Sequence, residues 1–302
     1  MKVFKIISGI LLLSFLGGYV KGQSLFDELD EATTDSTEVN YTTATFKSTR
    51  IINGQSIEMP APNELLFIIS HRFGSFQNGA YDFFGLDQAS VRLGFEYTLP
   101  TDFVCISIGR STYLKTFDGG LKFKLLRQKK GYKNSPLSID LYSSMALSSV
   151  RWANPDRVNY FSSRLSYAHQ LLIARKFSDA LSLQLSPTVL HKNLVAKANE
   201  DNTFYAVGIG GRYRFVKRVA LTFEYSHFVT PEGNLPQVNS QTPIGTLSIG
   251  FDIETGGHVF SLAFTNSKAM YDPGIYSETT ESWGDMGVHF GFNVNRTFSL
   301  GK

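Results

Sequence analysis

A serine nucleophile beside a histidine base is the first chemistry to look for in this 302-residue chain, since it needs only two side chains. His169 shares one face of an alternating segment with Ser163, Leu165 and Tyr167. Facing lipid, such a pair would hydrolyse membrane esters. Ser163 is six positions away, about 20 Å along an extended chain and far outside hydrogen-bond reach. His169 therefore reads as an interfacial ring, with a partner from a neighbouring strand left open. Glu224-Tyr225-Ser226-His227 has a spacing that would join two metal ligands on a helix, but on a strand the two residues point to opposite faces. His71, His191, His258 and His289 are scattered, and Gly208-Ile209-Gly210-Gly211 lacks the third-glycine spacing and the following helix of a dinucleotide site. Cys105, the single cysteine, shares parity with Ser107 and Gly109 and reads as a small strand residue. No catalytic, cofactor-binding or metal-ligating residue is assigned, no cofactor is expected, and an enzyme is not expected.

The elements that carry these residues show a two-residue rhythm. In Val91-Arg92-Leu93-Gly94-Phe95-Glu96-Tyr97-Thr98-Leu99, apolar side chains alternate with charged, small or hydroxyl ones. Successive strand side chains point to opposite sides, so such a segment separates an apolar medium from a wet one. The rhythm recurs in twelve segments, about 65 to 73, 89 to 99, 103 to 111, 119 to 128, 137 to 147, 160 to 173, 180 to 191, 203 to 215, 218 to 228, 246 to 254, 258 to 266 and 286 to 298. Each is close to the roughly 9 to 11 residues that a tilted strand needs to cross a bilayer. Short links follow even-numbered segments and most long links follow odd-numbered ones, as in a bacterial barrel with short periplasmic turns and long outer loops. A soluble all-β fold also alternates. Its outer faces would not carry rows such as Leu181, Leu183, Leu185 or Phe260, Leu262, Phe264. The expected fold is therefore all-β: a transmembrane antiparallel up-and-down barrel of about twelve strands, spanning residues 64–302.

Ahead of it, Lys2 and Lys5 precede an apolar run from Ile6 to Leu16 and small residues to Gly22, which reads as a cleaved signal peptide over 1–22. Three of the 29 basic residues lie there, leaving 26 of each sign. That balance gives no charge argument for nucleic acid. Residues 23–63 are expected to form a mobile periplasmic tail or a plug-like segment, with Ile51-Ile52 either a short strand or a piece tucked into the barrel.

Ser70-His71-Arg72-Phe73-Gly74, the run from Phe83 to Tyr97, and Gly109-Arg110-Ser111 with Lys115 to Gln128 resemble an uncharacterised outer-membrane β-barrel family of Bacteroidota, and Thr49-Arg50-Ile51-Ile52-Asn53-Gly54 is similar too. The resemblance implies an outer-membrane barrel and brings no activity with it.

Assigning the apolar positions to lipid places their neighbours in the lumen: Arg72, Arg92, Glu96, Lys122, Lys124, Asp140, Arg164, Arg212, Arg214, Glu224, Asp252, Glu254 and His289. Two readings follow. These charges form an ion-pair lattice that seals the barrel, or they line a narrow passage with weak preference for anions. The expected function is a passive channel or binding pocket for small solutes in the outer membrane of a Gram-negative cell. The alternatives are a closed structural barrel acting through its outer loops and, least favoured, a lipid hydrolase. Expected partners are outer-membrane lipid and lipopolysaccharide, small solutes, and the assembly machinery during biogenesis. Asp272, Glu278, Glu281 and Asp285 are expected in solvated outer loops.

Overall fold

The computed structural model describes residues 39–152, 154–255 and 258–300. The signal segment lies outside them. Residues 41–130 and 134–302 form one compact unit, which holds the barrel and everything described in its lumen.

Twelve strands close into a barrel in chain order. They are β1 (Glu64–Ser75), β2 (Ala89–Thr98), β3 (Val104–Ser111), β4 (Thr116–Leu126), β5 (Ser138–Ser148), β6 (Leu165–Lys176), β7 (Leu181–Lys192), β8 (Thr203–Val216), β9 (Val219–Phe228), β10 (Leu247–Thr255), β11 (His258–Thr265) and β12 (His289–Ser299). Every neighbour is antiparallel, and β12 closes on β1 through pairs such as Val294 with Ile69. The expected segments match these strands closely. The sixth begins at Leu165 and not at 160, because Phe161–Arg164 wind into a 3-10 turn. Two three-residue strands, Val39–Tyr41 and Lys129–Gly131, lie outside the barrel order.

The alternation is realised side chain by side chain. Leu93 and Phe95 are exposed on the outer wall while Arg92 and Glu96 are buried inside. Bulk is managed by glycine: Cβ atoms at Gly94 and Gly109 would collide with the Arg92 guanidinium. Links 99–103, 177–180 and 217–218 fall at one end of the barrel, and 76–88, 149–164, 193–202, 229–246 and 266–288 at the other. The long-loop link 266–288 carries an α-helix, α1 (Asp272–Ser277), all of whose residues are buried, and a 3-10 turn at Trp283–Asp285.

Candidate functional site: a lumen filled from both ends

Residues 45–57 run inside the barrel, where Phe46, Ile51, Ile52, Asn53, Gln55 and Ser56 are all buried. Residues 49–56 fold back on themselves, with the Ser56 N–H donating to the Thr49 carbonyl and the Ile51 N–H to that of Gly54, both at 2.9 Å. The tip thereby presents three consecutive amides. One carboxylate takes all of them: Glu224 on β9 accepts from the N–H groups of Ile52, Asn53 and Gly54, each at 3.0 Å. Successive amides around an anion spread its charge, which lets a carboxylate sit in the lumen without a cationic partner in direct contact.

Other wall residues bind the same segment. Arg72 Nη2 donates to Asn53 Oδ1 at 2.8 Å, and Asn53 Nδ2 donates to the hydroxyls of Ser248 and Thr265 at 2.9 and 3.1 Å. Lys122 Nζ donates to the carbonyls of Ser56 and Glu58, both at 2.9 Å. Gln184 and Asn293 reach the carbonyls of Gln55 and Ile52. Side chains of Phe46, Ile51, Ile52 and Ile57 pack on Tyr142, Leu172, Ala174 and Ala263, each fully buried isoleucine contributing about 2 kcal/mol. Gly210 is a glycine for this reason, since its Cβ would lie 2.5 Å from Ile51 Cδ1.

Link 266–288 enters from the opposite end. Ile275 and Tyr276 of α1 pack on Ala168, Leu190, Phe204 and Ala206, and Ala269 and Tyr271 on Ala146. Asp272 joins the two insertions. Its Oδ2 accepts from Arg50 at 3.3 Å, from the Tyr142 hydroxyl at 3.2 Å and from Gln55 at 3.4 Å. Between the insertions a cavity of ≈ 20 Å³ remains, lined by Gln170, Gln184, Glu224 and Tyr276 among others. It has room for about one water.

Among the remaining candidates, Arg92 grips Asp118 through two bonds of 3.0 and 2.5 Å. Arg212 pairs with Glu254 at 2.7 Å, and Glu254 also holds Lys47 of the inserted segment at 3.1 Å. Asp252 accepts from Ser261, and Lys124 pairs with Asp102. Asp140 and Lys124 line a cavity of ≈ 370 Å³ beside residues 57–62, with a second of ≈ 300 Å³ on the other flank. Glu96 is buried, and neither oxygen meets a donor among the described residues. His289 lies against Glu281 of the long-loop insertion at 3.1 Å. Two candidates stand apart: Arg214 is half-buried near the 177–180 turn, and Arg164 belongs to the turn before β6, at the long-loop rim and not on the strand wall.

The expected solvated acids are corrected. Asp272 pairs with Arg50, Glu278 with Lys192, and Glu281 with Lys268 and His289, so three of the four are turned inward; Asp285 is exposed. The link tucks in because its tyrosines and Ile275 find apolar lumen positions to cover. Those positions are what residue-by-residue reading misses. Tyr142, Leu172, Leu190 and Phe204 have lumen parity yet are apolar, an exception that marks where an insertion docks.

His169 does acquire a serine, from the neighbouring strand: Ser143 Oγ and His169 Nδ1 lie 2.8 Å apart across the β5–β6 pair on the outer wall. Amides of these strands are spent on the ladders to either side, leaving none beside Ser143 to stabilise an oxyanion. Each polar group satisfies the other in hydrocarbon. Among the described residues, no three histidine, cysteine or acidic side chains come together as a metal site.

Among solved structures, the NanC porin is 8% identical with a TM-score of 0.48, over 78% of this chain and 100% of its own. The KdgM porin is 11% identical at 0.44, over 79% and 99%. An outer-membrane channel from Pseudomonas putida F1 is 12% identical at 0.46, over 80% and 97%. Likenesses this remote carry no argument about what the chain does. No curated protein matches it. A family model does match, across residues 46–298, insertion and barrel together, and by it the chain belongs to the family of membrane-bound β-barrel domains, DUF5777.

Proposed function

We propose that this chain is an outer-membrane channel for small solutes that is closed at rest by residues 45–57 and by link 266–288. One observation carries the reading. The hydrogen-bonded cylinder closes through β1 to β12 alone, while residues 45–57 attach to the wall through side-chain contacts. Moving them together with α1 opens the lumen without breaking a single ladder bond.

Twelve strands tilted at about 40° give a backbone radius of roughly 12 Å, enough for a side-chain-lined passage once the insertions leave. The wall so uncovered would present Arg72, Lys122 and Arg212 beside Glu96, Glu224, Asp252 and Glu254, a mixed surface with both signs close to balance. Such a lining supports small polar solutes of either sign. Lipid and lipopolysaccharide are the partners of the outer wall, and the assembly machinery inserts it.

A second reading is favoured by one feature. Tyr81, Val158, Tyr160 and Phe161 are 67% to 91% exposed on long-loop links, which suits a permanently closed barrel acting through its loops. Swelling of proteoliposomes in monosaccharide separates the two. The Arg50→Ala/Glu224→Ala protein admits solute faster than the unmodified chain if the insertion is a gate. Equal impermeability with an intact barrel supports the second reading.

A further inference from the structure

A cavity of ≈ 180 Å³ opens at the long-loop end of the lumen, between the strand rims and link 266–288. We propose that it binds a small carboxylate of about monosaccharide size, and that filling it loosens the insertion; the second half rests on the closed-channel reading above.

Two cations face this cavity. Arg164 has no carboxylate partner among the described residues. It is nevertheless held in place: its guanidinium lies 3.9 Å over the Trp152 ring, and Nη1 donates to the carbonyls of Ser148 and Val150 at 2.9 and 2.5 Å. Nε and Nη2 make no hydrogen bond among the described residues, leaving one edge of a fixed, planar fork for an anion. Lys192 is the second cation, paired with Glu278 at 3.1 Å. Hydroxyls of Thr116, Ser163 and Ser166 complete the polar wall, and Leu165, Leu194 and Tyr271 supply an apolar one. That mixture fits a sugar acid, with hydroxyls, one carboxylate and an apolar ring face.

Glu278 connects the cavity to the insertion. It follows α1 directly, its N–H donating to the Gly274 carbonyl at 2.9 Å, and at the helix's other end Asp272 holds Arg50. A ligand carboxylate competes with Glu278 for Lys192. Once displaced, Glu278 no longer anchors the C-terminal end of α1, and the six-residue helix carries Asp272 away from Arg50. By linkage, loosening the Arg50 contact must tighten ligand binding by the same factor.

Trp152 makes the site observable. Full-length protein in detergent is titrated with glucuronate and, at matched ionic strength, with glucose, which shares the ring and lacks the charge. The expected result is a saturable change in tryptophan emission with glucuronate alone. It disappears in Trp152→Phe, where Trp283 is the only tryptophan left, and its half-saturation rises tenfold or more in Lys192→Gln. No saturable change, or equal responses to the two sugars, overturns the site. Bilayer recordings test the coupling: glucuronate raises the open fraction of the unmodified chain, and binding without any such rise overturns it. If glucuronate fails while a plug-weakened variant conducts, this inference falls and the channel reading stands.

Discussion

Arg50 and Asp272, 222 positions apart in the chain, meet at 3.3 Å inside the barrel with almost no exposure to solvent. Each belongs to a different insertion, so this ion pair makes the two seals one body. Removing one partner leaves a buried charge uncompensated, at a cost of about 3 to 5 kcal/mol. Arg50→Ala should therefore lower the stability of the folded barrel by that order in denaturant titrations. Arg50→Met/Asp272→Leu should recover most of it, because neither charge is then stranded. A double variant as unstable as the single one contradicts this.

Glu224 is the principal grip on the tip of the insertion. Hydrogen bonds to a charged group contribute about 1.5 to 3 kcal/mol each, and three amides share this carboxylate. Glu224→Ala should speed hydrogen exchange of the Ile52, Asn53 and Gly54 amides by roughly a hundredfold or more, with ladder amides unchanged. Glu224→Gln, which keeps an acceptor, should fall between. Unaltered exchange at the three amides means that the tip is held by something else.

Acid should loosen the long-loop insertion through Glu281. Burial raises its carboxyl, but the His289 ring 3.1 Å away and the Lys268 ammonium outweigh that and hold it at about 2, below the usual 4.5. A depressed folded value means that its stabilisation is complete above pH 4.5 and is lost as pH falls towards 2. Proteolysis of link 266–288 by an acid-active protease should accelerate across that window. In Glu281→Gln the link should be cut readily at every pH in it, and a matching pH profile in the two proteins counts against the assignment.

Ser143 and His169 are expected to contribute a membrane hydrogen bond and no catalysis. Ser143→Ala should cost about 0.6 kcal/mol, the usual scale for such bonds in lipid. Fatty-acid release from mixed micelles should stay at background for both proteins. Release by the unmodified chain that Ser143→Ala abolishes would make this an enzyme.

Most of the barrel is legible because a period of two leaves little choice. Arg92 and Glu96 are lumenal as soon as Leu93 and Phe95 face lipid, and the turns between strands fix the count. Arg72, Lys122 and Glu224 are recognisable as lumen residues by the same parity. Their shared ligand is not, because parity says which way a side chain points and nothing about what it meets. The insertion itself has no periodicity: Ile51-Ile52 is two apolar residues in a polar stretch, consistent with a tail, a strand or a plug. Asp272 is harder still. Its partner lies 222 residues upstream, and a composition of acids, glycine and proline reads as an exposed loop. Only the apolar lumen positions, Leu172, Leu190 and Phe204, announce that something must cover them.

Single-channel recording in planar bilayers tests the central claim most directly. The unmodified chain should stay closed for most of the record, and Glu224→Ala should open in long steps. Steady current through the unmodified chain equal to that of Glu224→Ala, or silence from a folded Glu224→Ala barrel, contradicts a lumen gated by residues 45–57.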